Sequence, residues 1–204
     1  MIAGIILGAG EGNRMGKEKL LLPLGHQCIL EWVIKAAHSS LLGKIFLVIR
    51  PEDNKLAEIG KKWAIEINFN PDYSRGMSTS IQKALLQINS REINGFLLIL
   101  GDQPFITPAI INQLIASFTP GNHEIVVPYY KEKRGNPVLF DIFWKDELMS
   151  VTGDVGGRVL IKKYPEKVKK IIIPDEAIIM DIDIENDYLK AQQRFYDLQQ
   201  KGNK

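Results

Sequence analysis

The sequence predicts an α/β protein: a mostly parallel sheet between two layers of helices. Three observations carry this. Short apolar runs rich in branched residues alternate with helical patterns through the first half of the chain. One run, Phe96-Leu97-Leu98-Ile99-Leu100, is apolar throughout, as a strand buried on both faces requires. A third apolar run, Met1–Leu7, passes directly into a glycine-rich turn.

The elements follow in order. Met1–Leu7 is the first strand. A helix over Ile29–His38 leads to a second strand, Lys44–Ile49. A short polar helix near Glu52–Lys61 precedes a third, Ile65–Phe69. Met77–Ile88 is a helix with Ile81, Leu85 and Ile88 on one face. Phe96–Leu100, the most apolar strand, belongs in the middle of the sheet. Thr107 and Pro108 open the next helix as N-cap and first helical residue. The pattern changes after Glu124. Strands at Ile125–Pro128 and Pro137–Phe140 flank a polar insertion, Tyr129–Asn136. Helices near Asp141–Met149 and Val155–Lys163 follow. Strands at Val168–Ile173 and Ile178–Asp183 and a helix at about Glu185–Gln199 complete the set. No repeat, low-complexity tract or linker divides the chain, which predicts one domain over residues 1–204.

Bulk properties narrow the function. The formal net charge is +2, and no basic run has aromatic residues interleaved. Neither nucleic acid nor an anionic membrane is therefore an expected partner. The single cysteine, Cys28, excludes an internal disulfide framework and fits a reducing compartment. No apolar run reaches the roughly 20 residues that span a bilayer. No charged n-region precedes an apolar stretch at the N-terminus. A soluble, cytoplasmic chain is the expectation.

The turn after the first strand is Gly8-Ala9-Gly10-Glu11-Gly12-Asn13-Arg14-Met15-Gly16, and Lys19 follows it. A strand entering such a turn brings bare backbone N–H groups against phosphate. Four glycines in nine residues cost too much backbone entropy for an ordinary turn. A dinucleotide fold wants G-x-G-x-x-G, but Asn13 stands at the third position. Arg50 and Pro51 stand where the ribose-binding acid belongs. The Walker pattern is absent. The remaining reading is a nucleoside triphosphate that loses pyrophosphate. That chemistry needs cations beside the leaving group and a carboxylate-held Mg²⁺ at the α-phosphate. Arg14 can fork onto two phosphate oxygens, and Lys19 can place a point charge on the α- or β-phosphate.

From Leu7 to Gly16, with Lys19-Leu20-Leu21-Leu22-Pro23-Leu24 beyond, the chain resembles the signature of the MobA-like nucleotidyltransferases. Four later segments strengthen the likeness: Asn70-Pro71-Asp72-Tyr73-Ser74-Arg75-Gly76-Met77-Ser78-Thr79-Ser80, Leu100-Gly101-Asp102-Gln103-Pro104-Phe105, Arg134-Gly135-Asn136-Pro137-Val138-Leu139-Phe140 and Gly153-Asp154-Val155-Gly156-Gly157-Arg158. Within that group it is most similar to the molybdenum cofactor cytidylyltransferases, including the branch that serves xanthine dehydrogenase. The likeness runs from Ile5 to Tyr188. It departs at Gly8, where the family usually has alanine, and at Gly12, where it has serine or threonine.

The resemblance implies a Rossmann-like three-layer sandwich. An NTP-binding half would cover about residues 1–105. An acceptor-binding half, about 106–200, would carry a small substrate-binding insertion. It implies Mg²⁺-dependent cytidylyl transfer from CTP to the terminal phosphate of molybdopterin cofactor. A molybdoenzyme or its maturation chaperone would be a further partner. Guanylyl transfer to the same cofactor and nucleotidyl transfer to a sugar or alcohol phosphate are alternatives. So is a non-catalytic nucleotide-sensing or cofactor-delivery module.

Roles carry over residue by residue. Leu7, Gly8, Ala9, Gly10, Glu11, Gly12, Arg14 and Lys19 would hold the triphosphate, with Arg14, Lys19 and Asp102 catalytic. Asn70, Gly76, Met77 and Ser78 would shape the nucleobase pocket, the glycine letting the ring approach the backbone. Asp102, at the C-terminal lip of the most apolar strand, would hold Mg²⁺; Thr107 already serves as the following cap. Asp183 is read as the second metal ligand over Asp181, both on one face of the predicted last strand. Arg134, Gly135, Asn136 and Pro137 would meet the pterin. Gly153, Asp154, Gly156, Gly157 and Arg158 would open a helix whose N–H groups suit the acceptor's phosphate. Asp154 is also read as the N-cap of that helix, with Arg158 as its partner.

Overall fold

The computed structural model describes residues 1–10 and 19–202. In chain order the regular elements are β1 (Ile2–Leu7), β2 (Pro23–Leu24), β3 (Gln27–Cys28), α1 (Ile29–His38), β4 (Lys44–Ile49), α2 (Asn54–Lys62), β5 (Glu66–Phe69), α3 (Met77–Leu85), β6 (Gly95–Leu100), α4 (Pro108–Ser117), β7 (Ile125–Tyr130), β8 (Lys133–Arg134), β9 (Val138–Asp141), α5 (Lys145–Ser150), α6 (Arg158–Lys163), β10 (Val168–Ile172) and α7 (Glu185–Gly202). The main sheet runs β10-β7-β9-β6-β1-β4-β5, with β8 beside β7. β9 runs antiparallel to β6 and β7, and β8 antiparallel to β7; the other pairs are parallel. β6 is the middle strand, where its unbroken apolar run predicts it.

Alternation along the strands builds two cores. Ile6, Leu47, Ile49, Leu97, Ile99 and Leu139 face one side and meet Val33 and Ile34 of α1, Leu56 of α2, Ile111 of α4 and Ala191 of α7. Ile5, Phe46, Val48, Phe96, Leu98 and Phe140 face the other and meet Ile81 and Leu85 of α3, Leu148 of α5 and Leu160 of α6. Period-2 side chains on the strands thus give a three-layer, Rossmann-like sandwich. Phe96 and Phe140 are paired across β6 and β9, and their rings stack at 5.7 Å. Thr107 Oγ1 accepts from the Ile110 N–H and caps α4, as its sequence predicts.

Four expectations need correction. Ile178–Asp183 is not a strand. Asp175 accepts from the Ala177 N–H and starts a 3-10 turn over Glu176–Ile179, and the Ile182 N–H then donates to Asp102 O at 3.2 Å. The segment is tied to the turn after β6, not to a neighbouring strand. The helix expected over 141–149 is a 3-10 turn, Ile142–Trp144, followed by α5. Buried Asp141 forces the break by accepting from the Phe143 and Gly121 N–H groups. The helix expected from Val155 begins at Arg158, after a run of turns. The polar insertion is a hairpin, with Tyr129 paired to Arg134 and Tyr130 to Lys133. Among the described residues, no helix is long and apolar enough to cross a membrane.

Candidate functional site

The C-terminal ends of β1, β4 and β6 open on one cleft of about 670 Å³. Backbone bonds lace those ends together. The Gly8 N–H donates to Val48 O at 2.8 Å, and the Gly101 N–H to Leu7 O at 3.0 Å. A Cβ on Gly101 would lie 2.9 Å from Leu7 O, so the turn before Asp102 tolerates no side chain there.

Three groups meet on the floor of the cleft. Lys19 Nζ donates to Asp102 Oδ2 at 2.6 Å and to Asp183 Oδ1 at 2.8 Å. Lys19 and Asp102 side chains are mostly buried; Asp183 is 41% exposed toward the opening. Burial disfavours the Lys19 charge, but Asp102 and then Asp183 outweigh it and hold the ammonium above its ordinary value. Asp181 lines the same cleft. Desolvation, with the charges of Asp102 and Asp183, pushes its carboxyl up.

Asp102 Oδ1 is buried and has no hydrogen-bond partner among the described residues. Such an oxygen is costly to bury unless a ligand completes it. Two carboxylates also match the donor set Mg²⁺ takes from proteins, the rest of its octahedron being water and substrate phosphate. The pair therefore fits a divalent cation. No group of three or more His, Cys, Asp or Glu among the described residues is placed to hold a metal unaided.

One wall is made by the end of β4 and the turn before α3. Arg50 forks onto Asp53 with Nε–Oδ2 at 2.9 Å and Nη2–Oδ1 at 2.6 Å, and its guanidinium lies 5.7 Å from the Tyr73 ring centroid. Tyr73 donates to Glu52 Oε1 at 2.9 Å. Gly76, with φ 106° and ψ 172°, begins α3. The Met77 N–H donates to Asp154 Oδ1 at 3.1 Å, and the Ser78 N–H to Gly153 O at 3.2 Å. Asp154 therefore caps α3, 77 residues away, and not its own helix as the sequence suggests.

The residues singled out in the sequence divide as follows. Leu7, Gly8, Ala9, Gly10, Lys19, Gly76, Met77, Asp102, Asn136, Asp154, Arg158 and Asp183 line the cleft. Asn70 and Ser78 are buried in the wall behind it. Asn70 Nδ2 donates to Thr79 Oγ1 and Ser80 Oγ, both at 2.9 Å, and so ties the end of β5 to α3. The Gly135 N–H donates to Pro128 O and the Asn136 N–H to Ile178 O, which hold the insertion in place; the Asn136–Pro137 peptide is cis. Arg134 is half-buried; its burial and the nearby charge of Arg158 pull its guanidinium below the ordinary value. Gly153, Gly156 and Gly157 form the loop that crosses the start of α3, where a Cβ on Gly156 would lie 2.8 Å from the Met77 sulfur. Glu11, Gly12 and Arg14 lie outside the described residues.

A strand-to-glycine turn, a lysine bridging two carboxylates and a central-strand aspartate in one cleft are the parts a nucleotidyl-transfer site needs. The model of the MobA-like NTP transferase domain matches residues 4–168. The chain belongs to this family. As a MobA-like transferase it has full-length relatives. The molybdenum cofactor cytidylyltransferase of Escherichia coli is 27% identical over 198 residues, 95% of this chain and 97% of its own. Nicotine blue oxidoreductase of Paenarthrobacter nicotinovorans is 28% identical over 194 residues, 89% and 92% of the two chains. Among solved structures, an Rv0371c homolog from Mycobacterium sp. strain JC1 superposes with a TM-score of 0.86 at 26% identity, covering 97% of this chain and 98% of the other.

Arg50, Asp53, Tyr73 and Arg75 also line the cleft, beyond the residues singled out from the sequence. A signal for Arg50 was present: it follows a parallel strand at its C-terminal end, where ligands bind in open α/β sheets.

Proposed function

We propose that this MobA-like transferase moves a cytidylyl group from CTP to the terminal phosphate of molybdopterin cofactor. The observation that carries the reading is Lys19 held between Asp102 and Asp183 beneath the turn at the end of β1. An oxygen of the acceptor phosphate forms a bond to the α-phosphorus of CTP, the bond from that phosphorus to the β-phosphate oxygen breaks, and pyrophosphate leaves. The acceptor is already anionic, so no strong general base is needed. The chain's task is to hold two anions in line and to screen their repulsion. Asp102 and Asp183 would hold Mg²⁺, which when bound supplies positive charge at the α-phosphate. Ala9 and Gly10, at the turn that follows β1, would offer their backbone N–H groups to the triphosphate, while the Gly8 N–H stays bonded to Val48 O. Lys19, with Arg14, takes up charge on the departing pyrophosphate. Asn136 and Arg158, which line the same cleft, would receive the acceptor, with Asp154 holding the loop beside them to the start of α3.

Support for cytosine and for molybdopterin comes from the motifs and from the Escherichia coli relative. The test is pyrophosphate release with CTP, GTP or ATP, each with Mg²⁺ and purified molybdopterin cofactor. Release with CTP and cofactor together is expected. A preference for GTP would replace the base, and release with a sugar phosphate would replace the acceptor. Thermal stabilisation by NAD or NADPH in preference to CTP, with no need for a divalent ion, would overturn the transferase reading.

A further inference from the structure

The Lys19 ammonium stands in the gap that a divalent cation on Asp102 and Asp183 has to enter. Its Nζ touches one oxygen of each carboxylate, at 2.6 and 2.8 Å. Mg²⁺ binds such oxygens at about 2.0–2.1 Å. An ammonium and a dication in one gap would lie within a few ångströms of each other and repel in a weakly screened site. An empty gap is no better. Asp102 and Asp183 would then line the cleft with Asp181 beside them, and clustered carboxylates repel one another. Among the described residues, Lys19 supplies the positive charge between the two carboxylates.

We propose that Lys19 is a built-in substitute for the divalent ion, and that the two exchange. The metal enters between Asp102 and Asp183 as the Lys19 ammonium swings out toward the cleft and the phosphates of the nucleotide. A four-carbon stem with a compact charged head can make that movement. The exchange explains how one lysine can belong both to the carboxylates and to the leaving group. It also couples the ligands: a triphosphate that draws Lys19 away opens the metal site, and a metal that displaces Lys19 delivers a cation to the triphosphate. The proposal rests on Asp102 and Asp183 as the cation-binding pair of the proposed function, but not on the identity of base or acceptor.

The test uses Mn²⁺ alone, with the full chain and no nucleotide. Free Mn²⁺ is followed by electron paramagnetic resonance during titration of wild type, Lys19→Met and Lys19→Gln. With the competing ammonium gone, both variants should bind Mn²⁺ roughly three- to tenfold more tightly, the scale of one close ion pair. Equal or weaker binding means that Lys19 helps to hold the metal, and overturns the exchange. Absence of Mn²⁺ binding in all three proteins overturns it as well. A second arm uses wild type only, so it stands even if the variants fail to fold. Lys19 acetylation by an amine-reactive ester is followed by peptide mass spectrometry. Mn²⁺ should speed labelling of Lys19 several-fold; an unchanged or slower rate overturns the proposal. Neither arm contains CTP or molybdopterin, so failure of the cytidylyl assay leaves both readouts intact.

Discussion

Replacing Gly76 with alanine tests the joint between the two sides of the cleft. Gly76 has φ 106° and ψ 172°, a region that only glycine visits without strain. For any other residue this costs about 1–3 kcal/mol. Space is the second problem. A Cβ would lie 2.5 Å from the Gly153 carbonyl carbon and 2.7 Å from both the Asp154 nitrogen and the Gly153 oxygen. These are backbone atoms, so the 153–154 loop itself has to move. Its movement breaks the bonds from the Met77 N–H to Asp154 and from the Ser78 N–H to Gly153 O. Each is worth roughly 0.5–1.5 kcal/mol net. Together the terms come to about 2–6 kcal/mol. For a chain of this size that lowers Tm by roughly 4–24 °C, at about 2–4 °C per kcal/mol. Far-UV circular dichroism melts of wild type, Gly76→Ala and Gly10→Ala make the measurement. Among the described residues a Cβ on Gly10 meets nothing within 4 Å, so that control should stay within about 2 °C of wild type, as open surface positions do. If Gly76→Ala also stays within about 2 °C, the joint does not exist as described.

Three further outcomes follow from the same geometry. Asp102→Asn keeps the shape but removes the charge beside Lys19. It should cut pyrophosphate release by about 10²–10³-fold, by analogy with loss of one transition-state partner; a loss of only a few-fold refutes the assignment. Glu147 accepts from Lys163 Nζ at 2.7 Å and Tyr164 Oη at 2.9 Å, and the Lys163 bond above all holds its carboxyl below the usual range. A lowered acid stabilises the fold above its unfolded value, about 4.3, and loses that contribution as pH falls through the lower folded value. Glu147→Gln should therefore lower Tm at pH 7 by about 1–3 °C, the scale of an exposed pair, with no difference left near pH 3; a deficit that grows in acid would reverse the sign. Burial pushes the Cys28 thiol up, so iodoacetamide at pH 8 should label it at least about tenfold more slowly than free cysteine. Labelling at the free rate would show an open thiol.

What could be read from the residues, and what could not, follows from the range of the forces. β1, β4 and β6 and the cap at Thr107 are local patterns, and alternation or spacing along a few residues decides them. Asp102 was legible because a carboxylate after a central parallel strand has only one crevice to face. Asp183 reached the same cleft by another route than the one predicted. No strand carries it; the Ile182 N–H holds the segment to Asp102 O, a contact between residues 80 apart. Period-2 reasoning on Asp181 and Asp183 has no access to such a bond. Asp154 was misread for the same reason. In sequence it is a good cap for the nearest helix, but in space the bare N–H groups at Met77 and Ser78 are what it meets. Arg134 and Asn136 were placed in an insertion, while the pairing of Tyr129 with Arg134 that makes it a hairpin depends on the sheet behind it.

The reversed direction of β9 has a practical bearing on how such a molecule can diversify. Because β9 opposes β6 in register, Val138 beside Leu98, its start and not its finish lies near the Asp102 lip. Residues 129–137 are thus suspended over the cleft from two anchored points, the end of β7 and the beginning of β9. Insertions or exchanges there leave intact the parallel crossovers that join β1, β4, β5, β6 and β7, since none of these passes through it. A new recognition surface can be grafted at that position while the cleft floor at the ends of β1 and β6 stays unaltered.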